Sequence, residues 1–319
     1  LPSATTTVGA SFTNSGSFTH PTGVIELNSS ATGETVTLGN SSVANLTFSN
    51  SGEWTFGDTH ATTTESFRVA SGTVTLPSGT LAVGQDFVVL DTVNSNSGTV
   101  DLYATAGEVF LTLTANDLHA VVKSGSATTT MTDESAAFTD DLFVTAGVMN
   151  LATGTLSIGG SYDASSANVN TASGTILFNS SDPGEFIDPG TNEFYNLVIS
   201  GVGGEWTMTA SATTTNNFSL VNGADFTFSS GNVLRVGGVF SNDFDGNSTT
   251  WADTTIVLDG QNDYTINDKT TGGDQYENLV IGSNSNIRMW DSVATSTTLN
   301  ASSSVYSQDH AGIEGDLSI

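Results

Sequence analysis

The chain has 319 residues, of which 33 are Asp or Glu and only 5 are Lys or Arg, so its formal net charge is −28, and it holds no cysteine. That balance argues against nucleic acid, whose phosphates need clustered Lys and Arg, since Arg68, Lys123, Arg235, Lys269 and Arg288 stand singly. It also argues against an anionic membrane surface; no apolar run reaches the roughly 18 residues of a membrane helix, and thiol and disulfide chemistry are absent.

The chain opens at Leu1-Pro2 with no visible signal peptide, and Ala4-Thr5-Thr6-Thr7 already belongs to a repeat. The segment Val24-Ile25-Glu26-Leu27 returns as Thr99-Val100-Asp101-Leu102, as Thr175-Ile176-Leu177-Phe178 and as Thr255-Ile256-Val257-Leu258. A second marker begins at Leu46, Val121, Leu197 and Leu279, and a third is the Thr cluster at Thr62-Thr63-Thr64, Thr128-Thr129-Thr130, Thr213-Thr214-Thr215 and Thr295-Ser296-Thr297. Fixed-period self-similarity means an array. The expected units are 1–45 (partial), 46–120, 121–196, 197–278 and 279–319 (partial), one continuous segment of a longer protein.

Within a unit, short apolar-polar-apolar triplets alternate with turn formers. Val74-Thr75-Leu76 precedes Pro77-Ser78-Gly79, Leu156-Ser157-Ile158 precedes Gly159-Gly160, and Phe226-Thr227-Phe228 precedes Ser229-Ser230-Gly231. Such alternation predicts strands. Strand centres about 20 residues apart predict an all-β, right-handed parallel β-helix (β-solenoid) with about four coils per unit of 75–82 residues. Stacked about 4.8 Å apart, roughly 16 coils would form a rod about 75 Å long. Ile25, Val100, Ile176, Ile256, Leu46, Leu197 and Leu279 are expected to point inward. Residues 116–137 lack the Glu-Trp segment of Glu53-Trp54 and Glu205-Trp206 and are expected to form an irregular coil; 179–193 and 267–277 are expected to be protruding loops.

Candidate chemistry is sparse. Acid pairs stand at Asp140-Asp141, Asp182 with Glu185, Asp243 with Asp245, and Asp259 with Asp263. Glycosidases use two carboxyls across a sugar, but acids in turns of an acidic chain are ordinarily solvated. Asp243, Asp245 and Asn247 are spaced like the start of a Ca2+ loop, whose hard cation takes six to eight oxygens; the distal Glu of such a loop is missing, and the alternative is an Asx-type turn. His20, His60, His119 and His310 have no zinc spacing. Trp54, Trp206 and Trp290 follow the strands that begin at Leu46, Leu197 and Leu279, and core packing is the expectation over sugar stacking. The Thr clusters lie about four coils apart, too sparse for a dense lattice. Asn-x-Ser/Thr sequons begin at Asn28, Asn40, Asn45, Asn179, Asn217, Asn247 and Asn300.

The order Asn196-Leu197-Val198-Ile199-Ser200-Gly201, Gly204-Glu205-Trp206-Thr207, Ala212-Thr213-Thr214-Thr215-Asn216-Asn217-Phe218, then Val236-Gly237-Gly238-Val239-Phe240, resembles the units of long β-solenoid repeat proteins on the surface of candidate-phylum bacteria. More loosely it resembles filamentous-haemagglutinin-like β-helix adhesins. The resemblance covers the whole chain and carries no active site. It implies export to the cell surface and a non-catalytic structural or adhesive rod: a stalk, adhesin or fibre component. Its partners would be neighbouring repeats or copies of itself, with surface glycans or another cell as further candidates. The alternatives are a polysaccharide-active β-helix enzyme and a cation-dependent glycan-binding module.

Overall fold

A computed structural model of the chain describes residues 4–258 apart from 40 and 245–247, then Gly260 and the segments 263–267, 275–282, 286–290, 294–301, 305–307, 312–313 and 316–318. All the regular elements among them are strands, and no helix is long and apolar enough to cross a membrane. The strands pair in parallel, in coils about 20 residues apart, which makes the protein a β-solenoid. Two compact units divide it, Leu1–Ala152 with Ser166–Asn168, and Thr153–Ser165 with Val169–Ile319.

In the first unit, from Thr80–Val83 onward, the strands pair with the third strand after them. Thr80–Val83 joins Thr99–Leu102, then Ala120–Lys123, then Leu142–Val144. Phe87–Val89 joins Glu108–Thr112, then Thr128–Met131, then Val148–Asn150. A coil therefore has three sides. Earlier in the unit, Val43–Phe56 and Phe67–Thr75 run through a corner, with register shifts, so that one strand serves two sides. Gly72 makes one such corner possible. Its φ is 92°, and a methyl group there would run into the carbonyls of Asn50 and Gly52.

Alternation sends every second side chain inward, and stacking the coils aligns these into columns. Ile25, Leu46, Phe67, Phe87, Leu111 and Met131 form one column, and Leu81, Val100, Val121 and Leu142 another. The Phe67 and Phe87 rings stack at 5.2 Å with an interplanar angle of 11°.

The second unit repeats the rule. Thr175–Phe178 joins Asn196–Ser200, Phe218–Asn222 and Phe240–Asn242. Glu185–Asp188 joins Glu205–Met208, Asp225–Phe228 and Thr249–Thr250. Glu193–Phe194 joins Ala212–Thr214, Val233–Val236, Thr255–Leu258 and Gln275–Ile281. Trp251 packs on Phe226, Phe228, Phe240 and Tyr276, with centroids 5.4–6.1 Å apart.

The seven marker residues are all buried. Their columns refine the repeat. From Ile25 three coils lead to Phe87, and Val100 lies two sides further on. From Ile176 three coils lead to Phe240, and Ile256 again lies two sides further on. The repeat of about four coils is thus three coils and two sides. Within each unit, neighbouring copies put the same motif on different sides.

The expectations of an irregular coil at 116–137 and of a protruding loop at 179–193 are corrected. Residues 116–137 are regular, with Asp117–Leu118, Ala120–Lys123, Thr128–Met131 and Ala136–Phe138 all in the ladders. The corner that opens them has Thr114 and Ala115 at φ of 46° and 63°, held by Asn116 in place of a glycine. Within 179–193, Glu185–Asp188 and Glu193–Phe194 are strands, and Ile187 is fully buried. Within 267–277, residues 268–274 lie outside the described residues, while Gln275–Ile281 is a strand with Tyr276 buried.

Candidate functional site

A parallel coil leaves backbone N–H groups at its corners without ladder partners, and a buried one must be satisfied. Carboxylates of an adjoining coil do this repeatedly. Asp58 accepts from the Leu38 and Gly39 amides at 2.5 and 3.1 Å, and Asp133 from Leu113 and Thr114 at 2.6 and 2.9 Å. Asp91 accepts from the Gly72 amide at 2.7 Å and Asp86 from Phe110 at 2.8 Å. Hydroxyl donors tie further acids across coils, as Ser11 does to Glu34 at 2.5 Å, Thr130 to Glu108 at 2.9 Å and Ser124 to Asp101 at 2.5 Å. The hydroxyl donors of Ser11 and Ser29 hold the Glu34 carboxyl below its ordinary range.

Of the acid pairs read from the sequence, only Glu185 is seen to follow this pattern with its carboxylate. Asp140 sits 3.1 Å from Nδ1 of His119, and the Asp141 carbonyl accepts from the Val121 amide. Glu185 accepts from Ser161 at 2.5 Å and from Ser180 at 3.5 Å, whereas the Asp182 carbonyl accepts from the Glu205 amide. Of the Ca2+ candidate, the Asp243 amide donates to the Leu220 carbonyl at 2.7 Å, and Asp245 and Asn247 lie outside the described residues. Asp259 lies outside them too. Among the described residues no three His, Asp or Glu side chains gather as metal ligands.

Of the aromatic and Thr candidates, those described turn inward, while the side chains of Trp290 and of Thr295-Ser296-Thr297 lie outside the described residues. Trp54 and Trp206 are each 1 % exposed, and neither indole N–H has a hydrogen-bond partner. Each Thr cluster in the described coils gives one side chain to the interior: Thr63, Thr129 and Thr214. Their neighbours face out, where Thr130 takes part in a ladder with Glu108 and Asn150. Two sequons are engaged structurally, because Asn45 donates to Gly23 and Glu65, and Asn217 accepts from the Val239 amide.

Sequence reasoning missed three groups. Asn116 accepts the Val93 amide at 2.8 Å while its Nδ2 donates to the carbonyls of Asp91 and Leu113. Asn192 does the same with the Val169 amide and the carbonyls of Ala164 and Pro189. The signal was available as an Asn just ahead of a short strand. Lys123 is fully buried, with Nζ donating to the carbonyls of Gly125 and Ala146. Its place as the last residue of the apolar run Ala120-Val121-Val122 could have revealed it. Burial lowers its pKa, and nearby Asp101 opposes that shift. His20 is buried as well; its Nδ1 accepts the Ala44 amide at 3.2 Å, its Nε2 has no partner, and burial lowers its pKa.

No protein-family model matches the chain, nor does any curated protein or solved structure. The β-solenoid repeat is the level at which the molecule is recognised.

Proposed function

We propose that this chain is a non-catalytic structural or adhesive segment of an extracellular surface protein, of the kind built from long β-solenoid repeats in candidate-phylum bacteria and, more distantly, in haemagglutinin-like adhesins. The observation that carries the reading is the use of the acids. Asp58, Asp91 and Asp133 hold corner amides of the adjoining coil, and Asp86 holds the Phe110 amide within a strand of it. A catalytic carboxyl must instead face substrate with a pKa set for proton transfer or nucleophilic attack. Parallel ladders tied at several corners by cross-coil bonds suit a load-bearing or display role, and a strongly acidic surface suits solubility outside a cell.

The test is incubation of the purified chain with plant, algal and bacterial polysaccharides, followed by chromatography of the products. The expected result is no turnover. Turnover that vanishes when a single carboxylate such as Glu185 becomes Gln would replace this reading with a polysaccharide-active enzyme.

A further inference from the structure

In the second unit two recesses, of about 370 and 480 Å3, adjoin along the turn at residues 190–193, and Thr191, Asn192 and Glu193 line both. The turn is fixed before any ligand arrives. Asn192 is tied to Ala164, Pro189 and Val169, and the Thr171 hydroxyl donates to the Glu193 carbonyl and accepts from the Tyr195 amide. On successive coils Glu193, Thr213 and Arg235 stand in register, all on the outward-facing phase of their strands. The Glu193 carboxylate and the hydroxyls of Thr191 and Thr213 hold none of the cross-coil bonds that occupy the acids described above.

We propose that this row binds a short neutral oligosaccharide. A carboxylate accepts sugar hydroxyls, a guanidinium donates to hydroxyl and ring oxygens, and threonine does both. One acid and one base flanking a hydroxyl favour neither an anion nor a cation, and a chain of net charge −28 disfavours acidic polymers. The pinned turn keeps the ordering cost of binding low. From Asn170 to Arg235 the recesses cross three coil steps, about 14 Å at the strand spacing, the reach of a short glycan rather than one ring. The inference deepens the adhesive side of the proposed function and rests on it.

Calorimetric titration of the intact chain with cellotetraose, maltotetraose, mannotetraose and xylotetraose tests it, with tetragalacturonate as the acidic arm. The expected result is saturable binding of at least one neutral tetrasaccharide. Thr213→Trp, which fills the recess, and Glu193→Gln should each weaken it roughly tenfold or more, while Arg68→Gln in the first unit leaves it unchanged. Thr191→Tyr, on the exposed turn, gives the same readout should Thr213→Trp disturb the strand. No binding of any neutral tetrasaccharide at millimolar concentration overturns the proposal. So does binding of tetragalacturonate alone, or neutral binding that survives both recess-filling variants. Binding accompanied by cleavage would leave this site standing and overturn the non-catalytic reading; absence of both binding and cleavage would do the reverse.

Discussion

In the first unit, the coils around Val43–Phe56 are filled with rings, whereas those around Ala120–Lys123 are mostly aliphatic and admit the polar side chains of Lys123 and Thr129. Phe48 touches Trp54, Phe56 and Phe67 at centroid distances of 5.7–6.3 Å, and Phe67 stacks on Phe87. Further along, Ala104, Val109 and Ala127 cluster, and the aliphatic stem and ammonium of Lys123 run through the interior. Thr129 points inward where the other copies place Trp54 and Trp206, eight or nine residues after the markers Val121, Leu46 and Leu197. The backbone pairings are the same in kind in both stretches. The ladder and its corner bonds therefore set the coil, while the interior fixes how firmly each coil is held. A coil filled with rings buries more apolar area, at roughly 25 cal/mol per Å2, and should open last.

The largest effect is expected at the ring stack. Phe67→Ala removes a fully buried ring and should destabilise its coils by about 3–5 kcal/mol. Amide hydrogen exchange should show protection lost first across Leu46–Phe87 neighbours and little changed near Lys123, because coils contact only adjacent coils. Uniform loss along the whole first unit would mean that the two stretches unfold as one block, and the contrast drawn above would fail.

A smaller loss is expected at a corner carboxylate in the polar stretch. Asp133→Ala strands the buried Leu113 amide as well as the Thr114 amide, for about 1–3 kcal/mol. Asp133→Asn retains one acceptor oxygen and should recover part of it. Urea denaturation of the two variants separates them; equal midpoints would show that these bonds are not what holds the corner.

That corner also shows which parts of the molecule were legible in the residues. The coil length and the inward markers were, because period-two alternation and a near-20-residue recurrence are written in side-chain type: Ile25, Val100, Ile176 and Ile256 are apolar wherever they fall. The phase was not. Whether 75 residues make four coils or three coils and two sides depends on where the chain turns, and turns here use Asn116, Asn192 and acids of the next coil as well as glycine. Those partners lie 20–23 residues away, so no local window reveals them. Residues 116–137 read as irregular because they lack the Glu-Trp segment, and proved regular, with Thr129 inward where the other copies place a Trp. The candidate site was legible only as composition. Glu193, Thr213 and Arg235 look unrelated in sequence and meet through registers that only the fold supplies.

Acid should weaken the first coils through His20. Burial lowers its pKa below the ordinary 6.5, so at pH between the two values the unfolded chain binds a proton that the folded chain refuses. Stability is then fully present above pH 6.5 and falls as the pH drops toward the folded value. The neighbouring Glu65 carboxylate partly opposes this by favouring the charged ring. Thermal melts of wild type and His20→Gln between pH 8 and 5 measure it; parallel curves would show that His20 contributes no pH dependence.

The smallest change at neutral pH is expected from Lys123→Met, because two terms oppose. Removing a buried ammonium relieves its desolvation, and a Met thioether chain fills similar volume. Against this, the Gly125 and Ala146 carbonyls lose their shared donor, each at a cost of order 1 kcal/mol. The net should lie within about 1 kcal/mol of zero. The pH dependence is the sharper readout. Burial sets the folded pKa of Lys123 below the ordinary 10.5, with Asp101 limiting the shift. As pH rises through the folded value toward 10.5, the folded chain sheds its proton while the unfolded chain still holds one, so stability contributed at this position increases with pH. Wild type should therefore gain stability relative to Lys123→Met as pH is raised through that window, whatever the other groups do. Were the two proteins to follow the same curve, Lys123 would be titrating as it does in water. The interior of that coil would then be open to solvent, and the coil with the polar interior would differ from the ring-filled one in closure as well as in filling.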